Sequence, residues 1–232
     1  MTKTVTRLRF AQGLYGVTPD WDDGDRLERA VRQATAGGMT ALQLRLKTVA
    51  RKTRIEIAHR LGALCSDLGV TYIINDDWQL AIETDADGVH LGRDDGDPFM
   101  VRAALGPDRL LGVSCYADLD RAKSLLGASV DYIAFGAMFA SGTKPQAPPA
   151  PMTILTQAKS FCEHEYGKQS QSTERSSARV AVVAIGGITP ENATSLVAAG
   201  ADSLAVVGAL FNAQDIEAAA RQLSQSFGNR NR

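Results

Sequence analysis

About eight times along this chain, a short apolar run is followed by a longer amphipathic one. The short runs read as strands: GLYGVT at 13–18, ALQLRL at 41–46, TYIIN at 71–75, DGVHLG at 87–92, RLLGVSC at 109–115, VDYIAFGAM at 130–138, VAVVAIGG at 180–187 and DSLAVVG at 202–208. The spacing predicts helices over 25–36, 53–69, 78–84, 98–105, 118–127, 152–165, 189–200 and 215–227. Thr53 is the expected N-cap of the second helix and Gly69 its stop. Strict alternation implies parallel strands joined by right-handed crossovers. Eight such units in 232 residues suit a single closed α/β barrel of the (β/α)8 (TIM) type. An open, doubly wound sheet is the competing arrangement.

No linker divides the chain, so residues 1–232 are expected to form one domain. The stretch EHEYGKQSQSTERSSAR at 163–179 is polar and falls between a helix and the next strand. In a barrel that position lies on the N-terminal face, and we read it as a surface insertion without a catalytic part. A net charge of −1 provides no global field for nucleic acid or an acidic membrane, so any anionic ligand must be held by local cations. No apolar run is long enough to span a bilayer, and the first residues, MTKTVTRLRFAQ, lack a signal-peptide core. Cys65, Cys115 and Cys162 are scattered and lack CxxC spacing, which suggests reduced thiols in a cytoplasmic protein and no zinc site.

The strand ALQLRL and the residue after it carry Leu42, Leu44 and Leu46 on one face and Gln43, Arg45 and Lys47 on the other. A parallel barrel strand has no solvent face. The leucines should face the helices, and the polar stripe should rise inside toward the C-terminal mouth. Ion pairs with neighbouring strands would also account for that stripe. The next two strands end in INDDW and HLGRDDGD, which bring Asn75, Asp76 and Asp77, then Arg93, Asp94 and Asp95, to adjacent edges. Few carboxylates plus substrate phosphates is a usual way to hold Mg²⁺. Each Asp could instead cap a helix, Asp76 or Asp77 before Trp78 and Asp95 or Asp97 before Pro98. Ser114 ends a strand without a G-x-S-x-G elbow, so a hydrolase nucleophile is not expected. The loop Ser141, Gly142, Thr143 and Lys144 can cradle an anion or simply turn the chain. Gly186-Gly187 and Val207-Gly208 end the last two strands, where barrels frequently bind phosphate, although tight turning also calls for glycine. His59, His90 and His164 have no partners at ligand or triad spacing.

Taken in order, QLRLK, INDD, GVHLGRDD, LGVS, SGTK, IGGIT and VVGAL resemble the thiamine-phosphate synthase family, from about Gly13 to the final helix. The resemblance implies a TIM-barrel transferase of thiamine biosynthesis. Such enzymes join hydroxymethylpyrimidine diphosphate to thiazole phosphate, releasing pyrophosphate and forming thiamine phosphate. Carried over by motif, the segment Gln43, Leu44, Arg45, Leu46 and Lys47, with Asn75, Ser114 and Lys144, would hold the pyrimidine diphosphate. Arg45, Lys47, Ser114 and Lys144 would be catalytic, and Asp76 and Asp95 would hold Mg²⁺. Ser141, Gly142, Thr143, Gly187, Val207 and Gly208 would hold the thiazole phosphate. The implied partners are these small molecules, not nucleic acid or membrane, and a homo-oligomer is compatible with them. Arg93 stands where the family commonly has glutamine, and Ser141-Gly142 where Thr and Glu are frequent. A thiazole tautomerase on the same barrel, or a non-catalytic phosphate-binding barrel, is the competing function. The complete QLRLK, INDD and Lys144 set favours the synthase.

Overall fold

The structure, a computed structural model, describes residues 7–140, 149–169 and 178–228, without the side chains of 168 and 169. Its strands are Gly13–Val17 (β1), Met39–Leu44 (β2), Thr71–Asn75 (β3), Gly88–Leu91 (β4), Leu110–Tyr116 (β5), Tyr132–Phe135 (β6), Ala181–Ile185 (β7) and Ser203–Val206 (β8). They pair in parallel and in chain order, and β8 pairs with β1 to close the barrel. The open-sheet alternative is thereby excluded. The helices are Gly24–Ala36 (α1), Arg51–Leu68 (α2), Trp78–Glu83 (α3), Pro98–Leu105 (α4), Leu119–Leu125 (α5), Thr153–Gln169 (α6), Pro190–Ala198 (α7), Gly208–Phe211 (α8) and Ile216–Gln225 (α9).

Period-two alternation splits the buried residues into two layers. Leu42, Leu44, Tyr72, Ile74, Val89, Leu91, Val113, Ile133, Phe135, Val182, Leu204 and Val206 face the helices. Tyr15, Val17, Ala41, Ile73, Tyr132, Ala134, Ala181, Val183 and Ala205 fill the barrel. Phe10, just before β1, joins the inner layer and stacks on Tyr132 at a centroid distance of 4.1 Å. Bulky rings on β1 and β6 require small neighbours. Gly112 of β5 meets that need, because a Cβ there would lie inside the Tyr132 ring. Gly112→Ala is therefore expected to destabilise the protein by about 1–3 kcal/mol through overpacking. A thermal melt indistinguishable from wild type would show that Tyr132 can move aside.

A repeated aspartate ties the bottom of the barrel together. Asp87, Asp131 and Asp202 immediately precede β4, β6 and β8. Their carboxylates accept the N–H groups of Tyr72, Leu111 and Val182 at 2.7, 2.8 and 2.9 Å. Their carbonyls accept from Leu110, Ala181 and Gly13, the residues that open the next strand. Each aspartate thus satisfies one backbone donor on either side of its own strand. Asp202 is further paired with Arg179 and Lys159, and Asp131 with Arg9 and Arg102.

Several boundaries differ from expectation. β2 ends at Leu44, so Arg45 and Lys47 lie beyond the strand. α2 begins at Arg51 behind Ala50, with no side-chain cap, and Thr53 lies inside its first turn. The chain enters this helix soon after Lys47 and Thr48, whose N–H groups are held by Asp20. α6 continues to Gln169, so the polar stretch 163–179 starts as helix. Residues 170–177 of that stretch lie outside the described residues. At its far end Arg179 is buried against Asp202. No helix among the described residues is long and apolar enough to cross a membrane.

Candidate active site

The C-terminal ends of the strands form one mouth, the face that carries chemistry in barrels of this kind. Many acidic residues there have a structural job. Asp23, Asp77, Asp97, Asp118 and Asp215 accept N-terminal N–H groups of α1, α3, α4, α5 and α9. The pairs at the ends of β3 and β4 divide their roles accordingly: Asp77 and Asp97 cap, and Asp76 and Asp95 do not. Asp95 accepts the Gly92 N–H at 2.7 Å, which turns its carboxyl back over the strand end. Burial, then the hydrogen bond and charge of Asp76, raise its pKa above the ordinary carboxylate value. Asp76 pairs with Lys47 at 3.0 Å. The backbone of Asp76 has φ 66°, a left-handed conformation that is uncommon for non-glycine residues and clusters at functional sites. Two carboxyls in mutual contact, flanked by a lysine, are a donor set that suits a hydrated Mg²⁺ shared with phosphate oxygens. Among the described residues no third Asp, Glu, His or Cys joins them.

Arg45 and Lys47 owe their position to the loop after β1, which the sequence reading did not single out. The Arg45 N–H donates to Thr18 Oγ1 at 2.8 Å. Asp20 accepts from Lys47 N–H at 2.8 Å and from the Thr48 hydroxyl at 2.7 Å. Slight burial opposes ionisation of Asp20, but the Thr48 and Lys47 hydrogen bonds and the Arg45 charge hold its carboxyl below the usual range. The acid of VTPDW thus fixes the main chain at Lys47 and Thr48 and leaves the Lys47 head half exposed toward Asp76. Leu42, Leu44 and Leu46 all pack in the outer layer. Leu44 and Leu46 can therefore meet a ligand only through their main chain. Arg93 lies over the Tyr116 ring, 4.8 Å from its centroid, and its N–H donates to the Tyr116 hydroxyl.

Gln43 and Ser114 lie lower, on the interior faces of β2 and β5. Gln43 is buried, and its Nε2 donates to the Tyr15 hydroxyl at 2.7 Å. Ser114 Oγ meets His90 Nε2 at 2.9 Å. His90, which had no partner at recognisable sequence spacing, is thus brought onto Ser114 by the fold. The only signal was a polar side chain at an inward position of GVHL.

At the opposite side of the mouth, Gly186 and Gly187 have φ values of 98° and 64°. A Cβ on either would strike the Ala137–Ala140 backbone or side chains. The close passage of that loop is held by Met138 N–H to Ile185 O and Phe139 N–H to Gly186 O. Tight turning therefore accounts for the glycines, and it also bares main chain to the mouth. Val207 precedes α8, whose first hydrogen bonds start at Leu210, so among the described residues the N–H groups of Gly208 and Ala209 have no backbone acceptor within the helix. Ser141, Gly142, Thr143 and Lys144 lie outside the described residues.

Known proteins resemble the chain along nearly its whole length. Residues 14–210 match the family model described as thiamine monophosphate synthase. A thiamine-phosphate synthase of Bordetella avium is 56% identical over 223 residues, 96% of this chain and 98% of that protein. That of Bordetella pertussis is 54% identical over 220 residues, 95% of this chain and 97% of the other. Among solved structures, a thiamine phosphate pyrophosphorylase from Pyrococcus furiosus superposes with a TM-score of 0.75 at 27% identity, covering 93% of this chain and 95% of that one. A 3-hexulose-6-phosphate synthase, at 16% identity and TM-score 0.62, shares the fold alone. With a barrel of eight strands, paired carboxyls and cations at one side of its mouth, and this similarity along nearly its whole length, the chain belongs to the thiamine monophosphate synthase family.

Proposed function

We propose that the chain is a transferase that joins hydroxymethylpyrimidine diphosphate to thiazole phosphate, giving thiamine phosphate and pyrophosphate. The cluster of Lys47, Asp76 and Asp95 carries this reading, because it supplies cation and metal-binding capacity at one point of the mouth. The first event is heterolysis of the bond between the methylene carbon and the diphosphate oxygen. Pyrophosphate leaves with the bonding electrons, and the electron-rich aminopyrimidine stabilises the cation left behind. The thiazole nitrogen then donates its lone pair to the methylene carbon, forming the new C–N bond. No protein nucleophile is needed.

Arg45 and Lys47, with Lys144 from the 141–144 loop, would neutralise charge growing on the leaving group; such preorganised stabilisation is often the largest catalytic contribution. Asp76 and Asp95 would hold Mg²⁺, which when bound supplies further neutralisation of the diphosphate. Gln43, Asn75 and Ser114 would align the pyrimidine. Main-chain N–H groups at Gly187, Val207 and Gly208, with Ser141, Gly142 and Thr143, would hold the thiazole phosphate and so aim its nitrogen. Burial pushes the thiols of Cys65, Cys115 and Cys162 up to about 12, which suits inert core cysteines in a reducing, cytoplasmic setting.

Incubating the protein with both substrates and Mg²⁺ should yield thiamine phosphate and pyrophosphate in equal amounts. Isomerisation of thiazole phosphate alone would favour a tautomerase, and ligand binding without turnover a non-catalytic barrel. Asp95→Asn should raise the half-saturating Mg²⁺ concentration by an order of magnitude or more, on the scale of about 10–100-fold losses seen when metal environments are altered. An unchanged Mg²⁺ titration would remove Asp95 from the metal site.

A further inference from the structure

One continuous hydrogen-bonded chain runs through the barrel interior beneath the mouth. Gln43 Nε2 donates to the Tyr15 hydroxyl at 2.7 Å, and that hydroxyl meets the Tyr132 hydroxyl at 2.9 Å. Tyr132 meets His90 Nδ1 at 3.1 Å, and His90 Nε2 meets Ser114 Oγ at 2.9 Å. The chain ties together β2, β1, β6, β4 and β5. Both phenols are buried, and burial raises both pKa values, so each keeps its single proton.

One proton per phenol fixes the polarity. Tyr15 accepts from Gln43, so its own proton has Tyr132 as the partner on the chain. Tyr132 must then donate to His90 Nδ1, which makes His90 the neutral Nε2–H tautomer. That N–H donates to Ser114 Oγ. The reverse polarity would leave the buried Tyr15 proton facing the Gln43 amide nitrogen, with no acceptor there. His90 and Ser114 look like a nucleophilic pair, but a phenol faces Nδ1 where such a pair has a carboxylate. In this polarity the imidazole acts as donor to Ser114 and does not take its proton.

We propose that Tyr15, Tyr132 and His90 are positioning residues for the pyrimidine, a polarised chain that makes Ser114 a hydrogen-bond donor and Gln43 an acceptor toward the mouth. The inference rests on reading Gln43 and Ser114 as pyrimidine contacts. With its oxygen occupied as acceptor from His90, Ser114 presents its own O–H outward. With its N–H₂ engaged by Tyr15, Gln43 presents its carbonyl. A 4-aminopyrimidine offers the complement: an exocyclic amine that donates beside ring nitrogens that accept. A ring with a carbonyl in place of the amine would present the wrong pattern, so the chain would act in substrate selection as well as alignment.

The tautomer is open to direct measurement. The chain has three histidines, and long-range ¹H–¹⁵N correlation spectra of labelled wild-type protein, with His90→Gln as the assignment control, should show His90 as Nε2–H. An Nδ1–H tautomer would overturn the proposal, because it reports the opposite polarity with Gln43 reversed. Tyr132→Phe should convert His90 to a tautomer mixture and lower kcat/KM for the pyrimidine diphosphate by about tenfold, the worth of one buried hydrogen bond. KM for thiazole phosphate and the affinity for Mg²⁺-pyrophosphate should not change. Tyr15→Phe cuts the chain one step earlier, at its contacts with Gln43 and Tyr132, and should show the same loss of kcat/KM should Tyr132→Phe not fold. Unchanged kcat/KM in a folded variant with the chain cut would also overturn the proposal. Wild-type protein without turnover would instead refute the synthase reading, and the tautomer measurement would stand apart from that result.

Discussion

Asp202→Ala is expected to destabilise the protein by about 3–5 kcal/mol, the usual cost of removing one member of a buried ion pair. At this chain length that corresponds to a fall in Tm of roughly 6–20 °C. Arg179 and Asp202 have side-chain exposures of only 3% and 4%. Two hydrogen bonds join them, at 2.7 and 2.9 Å, and Lys159 adds a third at 2.6 Å. Alanine would strand the Arg179 charge in the interior and leave the Val182 N–H without its acceptor. Asp202→Asn keeps the shape and loses the charge, so its Tm should fall between the two. The pH dependence has a definite sign. Burial opposes ionisation of Asp202, but the hydrogen bonds and charges of Arg179 and Lys159 outweigh it and hold its carboxyl below the ordinary value. Its folded pKa is therefore lower than its unfolded one. The stabilisation is fully present above the unfolded carboxylate range, about 3.9, and is lost as pH falls through the depressed folded value. Chemical denaturation from pH 7 to pH 3 should show the gap between wild type and Asp202→Ala narrowing at the acid end. A constant gap would contradict this account of Asp202.

Lys47→Ala should have the opposite profile, with kcat/KM reduced by about 10²–10³, as for loss of one preorganised charge-stabilising group, and little change in Tm. Lys47 is 51% exposed and its partner Asp76 28% exposed. A pair that accessible contributes at most about 1 kcal/mol to stability. Its main-chain N–H, held by Asp20, survives the substitution, so the loop should keep its shape. If the lysine neutralises charge that develops on the leaving group, the loss should fall on kcat more than on KM. A loss confined to KM would make Lys47 a ground-state binding residue. A large loss of Tm would make it structural.

These two residues also mark what the sequence could and could not reveal. Lys47 stood out because a period-two stripe of Gln43, Arg45 and Lys47 has no solvent face in a parallel barrel, and the eight-fold alternation implied such a barrel. The split of Asp76 and Asp77, and of Asp95 and Asp97, into site and cap was readable as a set of alternatives, since each cap lies one residue before its helix. Asp202 has no such local signature. Its significance lies in partners 20 to 43 residues away, which no local pattern reports. The repetition of aspartate before β4, β6 and β8 in ADGV, VDYI and ADSL was the available signal. The interior chain was less visible still. Tyr15 and Tyr132 are 117 positions apart, and only barrel closure brings them together. Arg45 leaves the strand earlier than its alternation implies because the Thr18 hydroxyl takes its N–H and Asp20 takes that of Lys47. Thr53 lost the expected cap because the chain had already turned into α2 at Arg51.

Everything proposed for the mouth depends on the ends of β2, β3 and β4 forming the diphosphate site. Titration calorimetry of pyrophosphate, with and without Mg²⁺, tests that directly. Wild-type protein should bind pyrophosphate in a Mg²⁺-dependent manner, and Lys47→Ala and Asp95→Asn should each weaken that binding at fixed Mg²⁺. Pyrophosphate bound equally well without Mg²⁺ and by both variants would contradict it.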